Sequence, residues 1–490
     1  MPFEDASRED GNVLAIGQKA AYYGNTGHFV NLIYQSGLLG FRGITKLCAL
    51  MRDAAENRKD TEAVLSEKAI GSAEVVADGL ARAEACGCTA PAAKEEPVDR
   101  PREADQASLY AVNYSSDLSG VCSALYELGG LLVMHDASGC NSTYATHDEP
   151  RWYGSDSLIF ISGLREYDAI LGNDEKYIRD VCEAAEETHP AFIAVFGSPI
   201  AAMTGTDFKG VARVIEKRTG IPTLHFDTSG MHTYQAGMRQ AFRALAERFV
   251  DEKSAPVKDT DAIQINLLGL TPLDFSVVGN VEALLDWCAA EGFDVISSWA
   301  MHTTLSDIAR SAEADVNLVL SSTALDAANV LQERFGTPYV VGLPMGADAC
   351  GRIAALLKEA ARTGENRALW DEAASSDPDA PRTLILGEPV FAASLRWVLG
   401  DRNIRVLCPL EDPCGCLRNT DLQSWREPVI RAALAEADVI YADPLYRNLL
   451  PAGSLESTSP KEFHDVPSEN YSGRMYRDRI PVFLGPSFKP

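Results

Sequence analysis

The sequence predicts an α/β fold in which three Rossmann-like, parallel-sheet domains follow a helical N-terminal extension. Two observations carry this prediction. From about residue 107 onward, short apolar runs alternate with amphipathic helical segments, which is the pattern of parallel strands joined by crossover helices. The alternation divides into three similar stretches, and 490 residues exceed what a single hydrophobic core organises.

The N-terminal part of the chain has a different character. Apolar residues recur at helical spacing at 44–55 and 62–85, and a linker rich in Pro, Ala and charge follows at 89–106. We therefore predict a helical extension and linker over residues 1–106.

The three predicted domains cover 107–260, 261–380 and 381–490. Their expected helices lie at 174–188, 234–250, 280–291, 324–335, 348–362, 391–400 and 425–436. Their expected strands lie at 131–137, 157–163, 191–197 and 222–228, then at 262–270, 293–299, 316–322 and 338–344, and finally at 382–388, 404–410, 438–444 and 480–485. In such sheets, ligands bind beyond the carboxyl ends of the strands.

The amino-acid composition indicates which kinds of molecule the protein can bind and where it is located. Lys and Arg number 44 against 70 Asp and Glu, a formal charge of −26, which repels nucleic-acid phosphates and favours partners with a basic docking face. An acidic N-terminus and the lack of a long apolar run predict a cytoplasmic protein without a membrane span. Eleven cysteines, an odd number, argue against a disulfide framework.

The residues around one cysteine give the first candidate for a functional site. No Walker A loop, GxGxxG turn, HExxH helix or GxSxG elbow occurs in the sequence. Cys140 follows a predicted strand in a Ser-Gly-Cys turn, where small neighbours let a bulky ligand approach the backbone. A thiolate there can ligate an iron–sulfur cluster, and a buried free thiol is the competing interpretation.

Four segments together resemble the nitrogenase component 1 family, which includes nitrogenase catalytic subunits, protochlorophyllide reductase subunits and the nickel-sirohydrochlorin diamide reductive cyclase. The resemblance spans residues 107–490. The segments that carry it, in order, are LLVMHDASGC (131–140), AFIAVFGSPIAAMTGTD (191–207), VNLVLSSTALDAANVLQERFGTPYV (316–340) and ENYSG (469–473).

The resemblance implies an iron–sulfur cluster at a subunit interface, held by three cysteines of each subunit. The second family cysteine matches Cys140, whereas the first falls at Ser115 or Ser116 and the third near Pro199. Cys122 is a displaced candidate. Two cysteines from each of two chains would hold one 4Fe-4S cluster, so the expected partner across the interface is an identical chain or a paralogous component 1 subunit.

The resemblance also implies what the protein does not do. The family's cofactor cysteine matches Ser321 and its cofactor histidine matches Pro467, so we expect no molybdenum cofactor and no dinitrogen reduction. An ATP-dependent iron protein is the implied electron donor.

Several polar residues are candidates for substrate chemistry. His225, Asp227 and His232 cluster around a predicted strand end, and His302 follows another strand. They are catalytic candidates that would line a cavity and deliver protons.

Other features have more than one interpretation. His135 can tune the cluster or be a core histidine. Residues 147–151 can form a polar loop near the cluster, for docking or proton supply, or a solvated turn, which is the interpretation we favour. The two Cys-Gly-Cys pairs, at 86–88 and 414–416, can bind metal, form a redox pair or do neither.

The functional hypothesis is a nitrogenase-like reductase subunit. It would take electrons from the iron protein through the interfacial cluster and reduce a small molecule other than dinitrogen. Two alternatives stay open: a non-catalytic scaffold for cofactor or cluster maturation, and a metal-free small-molecule-binding α/β protein.

Overall fold

The structure is a computed structural model, and all of its described residues lie in the compact unit Ser108–Pro490. The predicted extension and linker (1–106), Cys140 and Pro467 lie outside the described residues. Those described are 114–137, 149–151, 157–251, 262–277, 279–371, 379–400, 403–450, 461–466 and 481–489.

The first sheet has four parallel strands in the order β2-β1-β3-β4. They are β1 (Leu131–His135), β2 (Leu158–Ile161), β3 (Ile193–Gly197) and β4 (Thr223–Phe226). The helices of this region are α1 (Asp117–Leu125), α2 (Glu166–Leu171), α3 (Asp174–Thr188), α4 (Pro199–Thr204), α5 (Phe208–Thr219) and α6 (Tyr234–Arg248).

The second sheet has five parallel strands in the order β6-β5-β7-β8-β9. They are β5 (Ile263–Leu270), β6 (Phe293–Ala300), β7 (Val316–Val319), β8 (Tyr339–Val341) and β9 (Arg367–Ala368). Its helices are α7 (Pro272–Phe275), α8 (Asn280–Ala290), α9 (Leu305–Ala309), α10 (Leu325–Phe335) and α11 (Gly346–Thr363), with 3-10 turns at Arg310–Glu313 and Ser322–Ala324.

The third sheet also has five parallel strands, in the order β12-β11-β10-β13-β14. They are β10 (Thr383–Leu386), β11 (Ile404–Cys408), β12 (Leu422–Gln423), β13 (Val439–Ala442) and β14 (Glu462–Asp465). The helices are α12 (Pro389–Val398) and α13 (Glu427–Glu436), with a 3-10 turn at Pro444–Leu449.

Three separate parallel sheets confirm the predicted fold class. The strands form where the sequence is apolar on both faces: all five residues of β1 and of β3 are buried, as expected for parallel strands covered by helices. Helices begin and end at residues that favour helix capping. For α5, the Asp207 side chain accepts a hydrogen bond from the backbone N–H of Gly210, and Gly220 ends the helix with φ 73°. No described helix is long and apolar enough to cross a membrane.

The predicted third-domain strand at 480–485 is wrong for its described part, which starts at residue 481. Gly485 makes only an isolated bridge with Met345 of the second domain. Asn280 Oδ1 accepts hydrogen bonds from the backbone N–H groups of Phe483 (2.9 Å) and Leu484 (3.1 Å). The Phe483 ring packs on Phe275, with ring centroids 5.8 Å apart. The segment is apolar because it fills a gap between domains, and the edge strand of the third sheet is β14 instead.

Two glycines let α1 and α6 cross at very short range. A Cβ at Gly237 would lie 1.8 Å from the carbonyl oxygen of Asp117, and one at Gly120 would lie 2.0 Å from the carbonyl oxygen of Tyr234. No side chain fits at either position. The crossing fixes the start of α6, and with it the position of Tyr234.

Candidate functional site

The carboxyl ends of strands from the second and third sheets meet the start of α6 at one junction. Asp274 follows β5, Ser321 follows β7, Glu388 follows β10, and Tyr234 is the first residue of α6. The hydrogen bonds described next join these residues across the three domains. This is where an α/β sheet is expected to present its ligands, so we take the junction as the candidate site.

Hydrogen-bond donors from three domains hold the two carboxyl groups of the junction. The hydroxyl of Tyr234 donates to Asp274 Oδ1 at 2.6 Å, and that of Ser321 donates to Asp274 Oδ2 at 2.8 Å. The backbone N–H of Ser322 donates to Glu388 Oε1 at 2.8 Å. Glu388 also caps α12, because its Oε2 accepts from the Phe391 N–H at 2.8 Å. Each carboxyl group is therefore fixed in orientation.

The junction raises the pKa of both acids toward neutrality. Burial raises the pKa of Asp274 from 3.8 to about 6. Burial, and next the neighbouring Asp274, raises the pKa of Glu388 from 4.5 to about 7. Burial and then Asp274 also raise the pKa of Tyr234 well above its ordinary value. With pKa values of about 6 and about 7, the pair exchanges protons near neutral pH, and Glu388 is the member that is more often protonated there.

The two acids are not fully enclosed. Asp274 and Glu388 are half-buried, although protein surrounds them closely enough for burial to dominate their pKa values. Tyr114, also half-buried, lies beside the junction: its ring stacks on Tyr234 at 6.3 Å, and its hydroxyl lies 3.4 Å from that of Tyr446 in the third domain. Each acid residue keeps part of its surface accessible to solvent.

Two further side chains of helix α6 bind residues of the second and third domains next to the junction. The side chain of Gln235 donates to Ser322 Oγ at 2.8 Å and accepts from the backbone N–H of Glu411 at 3.0 Å. Arg239 pairs with Asp326 at 3.0 Å and with Glu411 at 3.1 Å. Because these bonds run from one helix to two other domains, the site is preorganised.

Three of the predicted catalytic residues lie around the end of β4, away from these contacts. His225 is half-buried, and Asp227 and His232 are exposed. Buried Asp117 organises their loop, since its carboxylate accepts from the backbone N–H groups of Ser229 (3.0 Å) and Gly230 (2.8 Å). Within the described residues, no hydrogen bond joins these three side chains to the junction acids. Their catalytic role stays a prediction.

The fourth candidate, His302, lies at the surface. Its side chain is 52% exposed, with Nε2 3.9 Å from Glu282 Oε1, and its backbone N–H donates to Glu127 Oε2 at 2.8 Å. Its predicted role in the same cavity as His225 also stays a prediction.

The candidate cluster ligands are only partly described. Cys122 lies in α1 with 1% of its surface exposed, and burial raises the pKa of its thiol well above the ordinary value. These surroundings favour a protonated core thiol over an interfacial ligand. Ser116 precedes α1 and pairs with Thr233 in an isolated bridge. Across the described part of the chain, no group of three or more His, Cys, Asp or Glu is arranged to hold a metal ion, so cluster ligation by Cys140, Cys122 and Ser116 stays a prediction.

Burial bears on two other sequence interpretations. His135 Nδ1 lies 2.8 Å from Ser162 Oγ and its ring stacks on Tyr177 at 4.2 Å. Burial lowers its pKa to about 4, which favours the neutral ring of a core histidine. A role in tuning the cluster stays a prediction, because Cys140 lies outside the described residues. The solvated-turn interpretation is wrong for Glu149 and Arg151, which are 3% and 7% exposed. Arg151 Nε pairs with Glu149 Oε1 at 2.7 Å, so the buried guanidinium has a hydrogen-bond acceptor inside the protein.

Sequence reasoning missed the junction acids. Asp274 and Glu388 each follow a buried strand within two or four residues, next to a proline in TPLD and GEP. An acid just beyond a strand's carboxyl end is a recognisable signal, although it does not reveal that two such acids from different sheets meet.

A family profile described as nitrogenase component 1 type oxidoreductase matches residues 117–380, which is more than half of the chain. The chain belongs to the nitrogenase component 1 family. This confirms the resemblance drawn from the four sequence segments. Ser321, which the sequence resemblance predicts to match the family's cofactor cysteine, lies in the junction with its hydroxyl bonded to Asp274.

Individual relatives match over part of their length. The nitrogenase iron–molybdenum cofactor biosynthesis protein NifE of Klebsiella pneumoniae is 27% identical over 217 residues, which is 41% of this chain and 46% of the relative. The NifE of Methanosarcina barkeri is 27% identical over 37% of this chain and 40% of the relative. The nitrogenase molybdenum–iron protein alpha chain of Clostridium pasteurianum is 24% identical over 37% of this chain and 33% of the relative. The chain thus spans less than half the length of these curated relatives.

A solved structure of nitrogenase Cp1 at pH 6.5 has the same fold. It superposes with a TM-score of 0.55 at 13% identity, covering 76% of this chain and 89% of that one. The likeness extends over more of the chain than the sequence matches do.

Proposed function

We propose that this protein is a nitrogenase-like reductase subunit that reduces a small organic molecule, not dinitrogen, in the three-domain junction. Asp274 and Glu388 supply the protons that accompany the electrons. The coupled addition of electrons and protons needs acids that hold a proton at neutral pH and sit beside the substrate.

A single observation carries the proposal: the half-buried carboxyl pair with pKa values near neutrality at the meeting point of the sheets. Hydroxyls and backbone N–H groups are its hydrogen-bond donors. Capping of α12 explains one bond of Glu388, but it does not require a second acid beside it, and burying acids costs free energy.

Electrons would come from an ATP-dependent iron protein and enter through an iron–sulfur cluster at an interface with an identical or paralogous subunit. Cys140 is the leading ligand, with Cys122 and Ser116 as further candidates. A cluster there would supply one-electron transfer.

An exposed apolar surface on the first domain supports the subunit partner. Its members lie on α2, on α4 and in the loop before α6. Exposed fractions run from 71% to 87% for Tyr167, Ile170, Leu171, Met203 and Met231. Clustered apolar side chains at such exposure are typical of protein interfaces.

The test uses the full chain, purified anaerobically and supplied with a reduced iron protein and MgATP. Small organic molecules with reducible double bonds are offered, and electron consumption that depends on both ATP and substrate is measured. We expect the wild type to turn over. Asp274→Asn and Glu388→Gln should lower kcat at least tenfold with little change in KM, whereas Glu333→Gln, an exposed acid on α10, should match the wild type.

A second candidate, a scaffold for cofactor or cluster maturation, is favoured by the cofactor biosynthesis proteins among the relatives. It predicts no substrate-dependent electron consumption, together with transfer of a bound iron–sulfur precursor to an apoprotein. That pair of results would replace the reductase proposal. A colourless preparation without iron or sulfide would favour the metal-free binding protein.

A further inference from the structure

The loop between β11 and β12 carries two thiols that neither the family match nor the proposed reaction uses. Cys414 and Cys416 are both free, and only Gly415 separates them along the chain. Cys414 is half-buried, whereas Cys416 is 3% exposed. The pair therefore has one sulfur that a small reagent can reach and one that is protected behind it.

Chain connectivity keeps the two thiols within reach of each other. Two residues separated by one other lie at most about 7 Å apart even in an extended chain, and a disulfide requires Cα atoms roughly 4.4–6.8 Å apart. Gly415 between them has φ 65°, a backbone angle that only glycine adopts without strain. Its N–H donates to the carbonyl oxygen of Asp412 at 3.5 Å, so the chain turns at this point.

The surrounding structure holds the loop in place. The buried Arg396 pairs with the buried Asp421 at 2.6 Å, and the same guanidinium donates to the carbonyl oxygen of Cys416 at 3.0 Å. The carboxylate of Asp412 accepts from the Leu417 N–H at 2.8 Å. These contacts hold the loop at residues 412, 416 and 417.

We propose that Cys414 and Cys416 form a redox-active dithiol that exchanges with low-molecular-weight disulfides. The Cys414 thiolate attacks one sulfur of the small disulfide, which breaks that S–S bond and releases one thiolate. Cys416 then loses its proton and attacks the Cys414 sulfur, which forms the intramolecular disulfide and releases the second thiolate. The protein loses two electrons and two protons, and the small disulfide becomes two thiols.

The test uses the full chain equilibrated anaerobically in oxidised and reduced glutathione at a series of ratios. Remaining thiols are alkylated in denaturant, so that the buried Cys416 is also reached, and are mapped by peptide mass, which separates this pair from Cys86 and Cys88. In the wild type, alkylation at 414 and 416 should be lost together as the ratio becomes oxidising, and should return fully on reduction.

Single variants separate the two steps. Cys416→Ser should accumulate glutathione on Cys414, because no second thiol resolves the mixed disulfide, and Cys414→Ser should leave residue 416 alkylated at every ratio. The control Cys182→Ser removes another half-buried thiol and should leave the 414–416 transition unchanged. Full alkylation of both thiols at the most oxidising ratio, or a persistent glutathione adduct in the wild type, would overturn the proposal.

Discussion

Replacing Glu388 by Gln tests whether the junction holds a proton near neutral pH. The pKa of Glu388 rises from 4.5 in its ordinary state to about 7 in the folded protein. The folded state therefore binds more protons than the unfolded chain between these two values. A raised carboxyl pKa contributes stability below the ordinary pKa and loses it as pH rises through 7. The unfolding free energy of the wild type should accordingly fall across this window.

The magnitude follows from the size of that shift. A difference of 7 − 4.5 = 2.5 pH units, at about 1.4 kcal/mol per unit, corresponds to roughly 3 kcal/mol in total. Integration over the titration puts about 2–3 kcal/mol of this between about pH 5 and pH 8. Asp274 titrates in the same range and interacts with Glu388, so the comparison measures the contribution of Glu388 together with its coupling to Asp274.

Urea unfolding of the wild type, Glu388→Gln and Glu333→Gln, followed by tryptophan fluorescence from pH 5 to 8, measures this. The stability of Glu388→Gln relative to the wild type should rise by about 2–3 kcal/mol as the pH increases. The amide cannot accept from both the Ser322 and Phe391 N–H groups, which adds an offset of about 1–2 kcal/mol that is independent of pH. Glu333→Gln should run parallel to the wild type. Parallel curves for Glu388→Gln would refute a neutral-range pKa and remove the main support for proton delivery.

Gly237→Ala should destabilise the protein by about 3 kcal/mol, because its Cβ would lie 1.8 Å from the Asp117 carbonyl oxygen. The control Gly351→Ala should be neutral or stabilising by up to about 1 kcal/mol, because its Cβ meets nothing within 4 Å. Equal urea midpoints for the two variants would rule out the close helix crossing. In anaerobic preparations, Cys140→Ala should lose the iron that the wild type carries, and iron retained at wild-type levels would place the ligands elsewhere. Cys122→Ala should lose iron if Cys122 is a ligand; full iron with lower stability would identify a core thiol and make the Ser116 hydroxyl the better candidate. Metal analysis of the wild type should find no stoichiometric molybdenum or vanadium, and one atom of either per chain would overturn the interpretation of the two cofactor positions.

Local sequence patterns predicted most of the fold, and the failures share a cause. The strands β1 and β3 were predictable because a parallel strand covered by helices must be apolar on both faces. The segment at 480–485 has the same apolar character for a different reason, since Phe483 fills a gap against Phe275. An apolar sequence indicates that a segment is buried, but it does not indicate which part of the protein the segment packs against.

The location of the candidate site could be predicted from the sequence, but the residues that form it could not. Strand order implies that a ligand lies beyond the carboxyl ends of the sheets, and the family resemblance pointed to Ser321 within that region. The histidines were attractive because their ordinary pKa lies near neutrality, yet His135 is held neutral in the core and His302 lies exposed. Glu388 acquires its near-neutral pKa only from burial beside Asp274.

The sequence by itself determined the periodic apolar pattern, the division into three α/β domains and the family, because each depends on residues close together along the chain. Only the tertiary structure decided which strand ends meet, that Tyr234 reaches Asp274 across a domain boundary, and that two carboxyl groups share one junction. The physical reason is that a pKa depends on the surrounding solvent, charges and hydrogen-bond donors. For Asp274 and Glu388, those surroundings come from residues dozens of positions away.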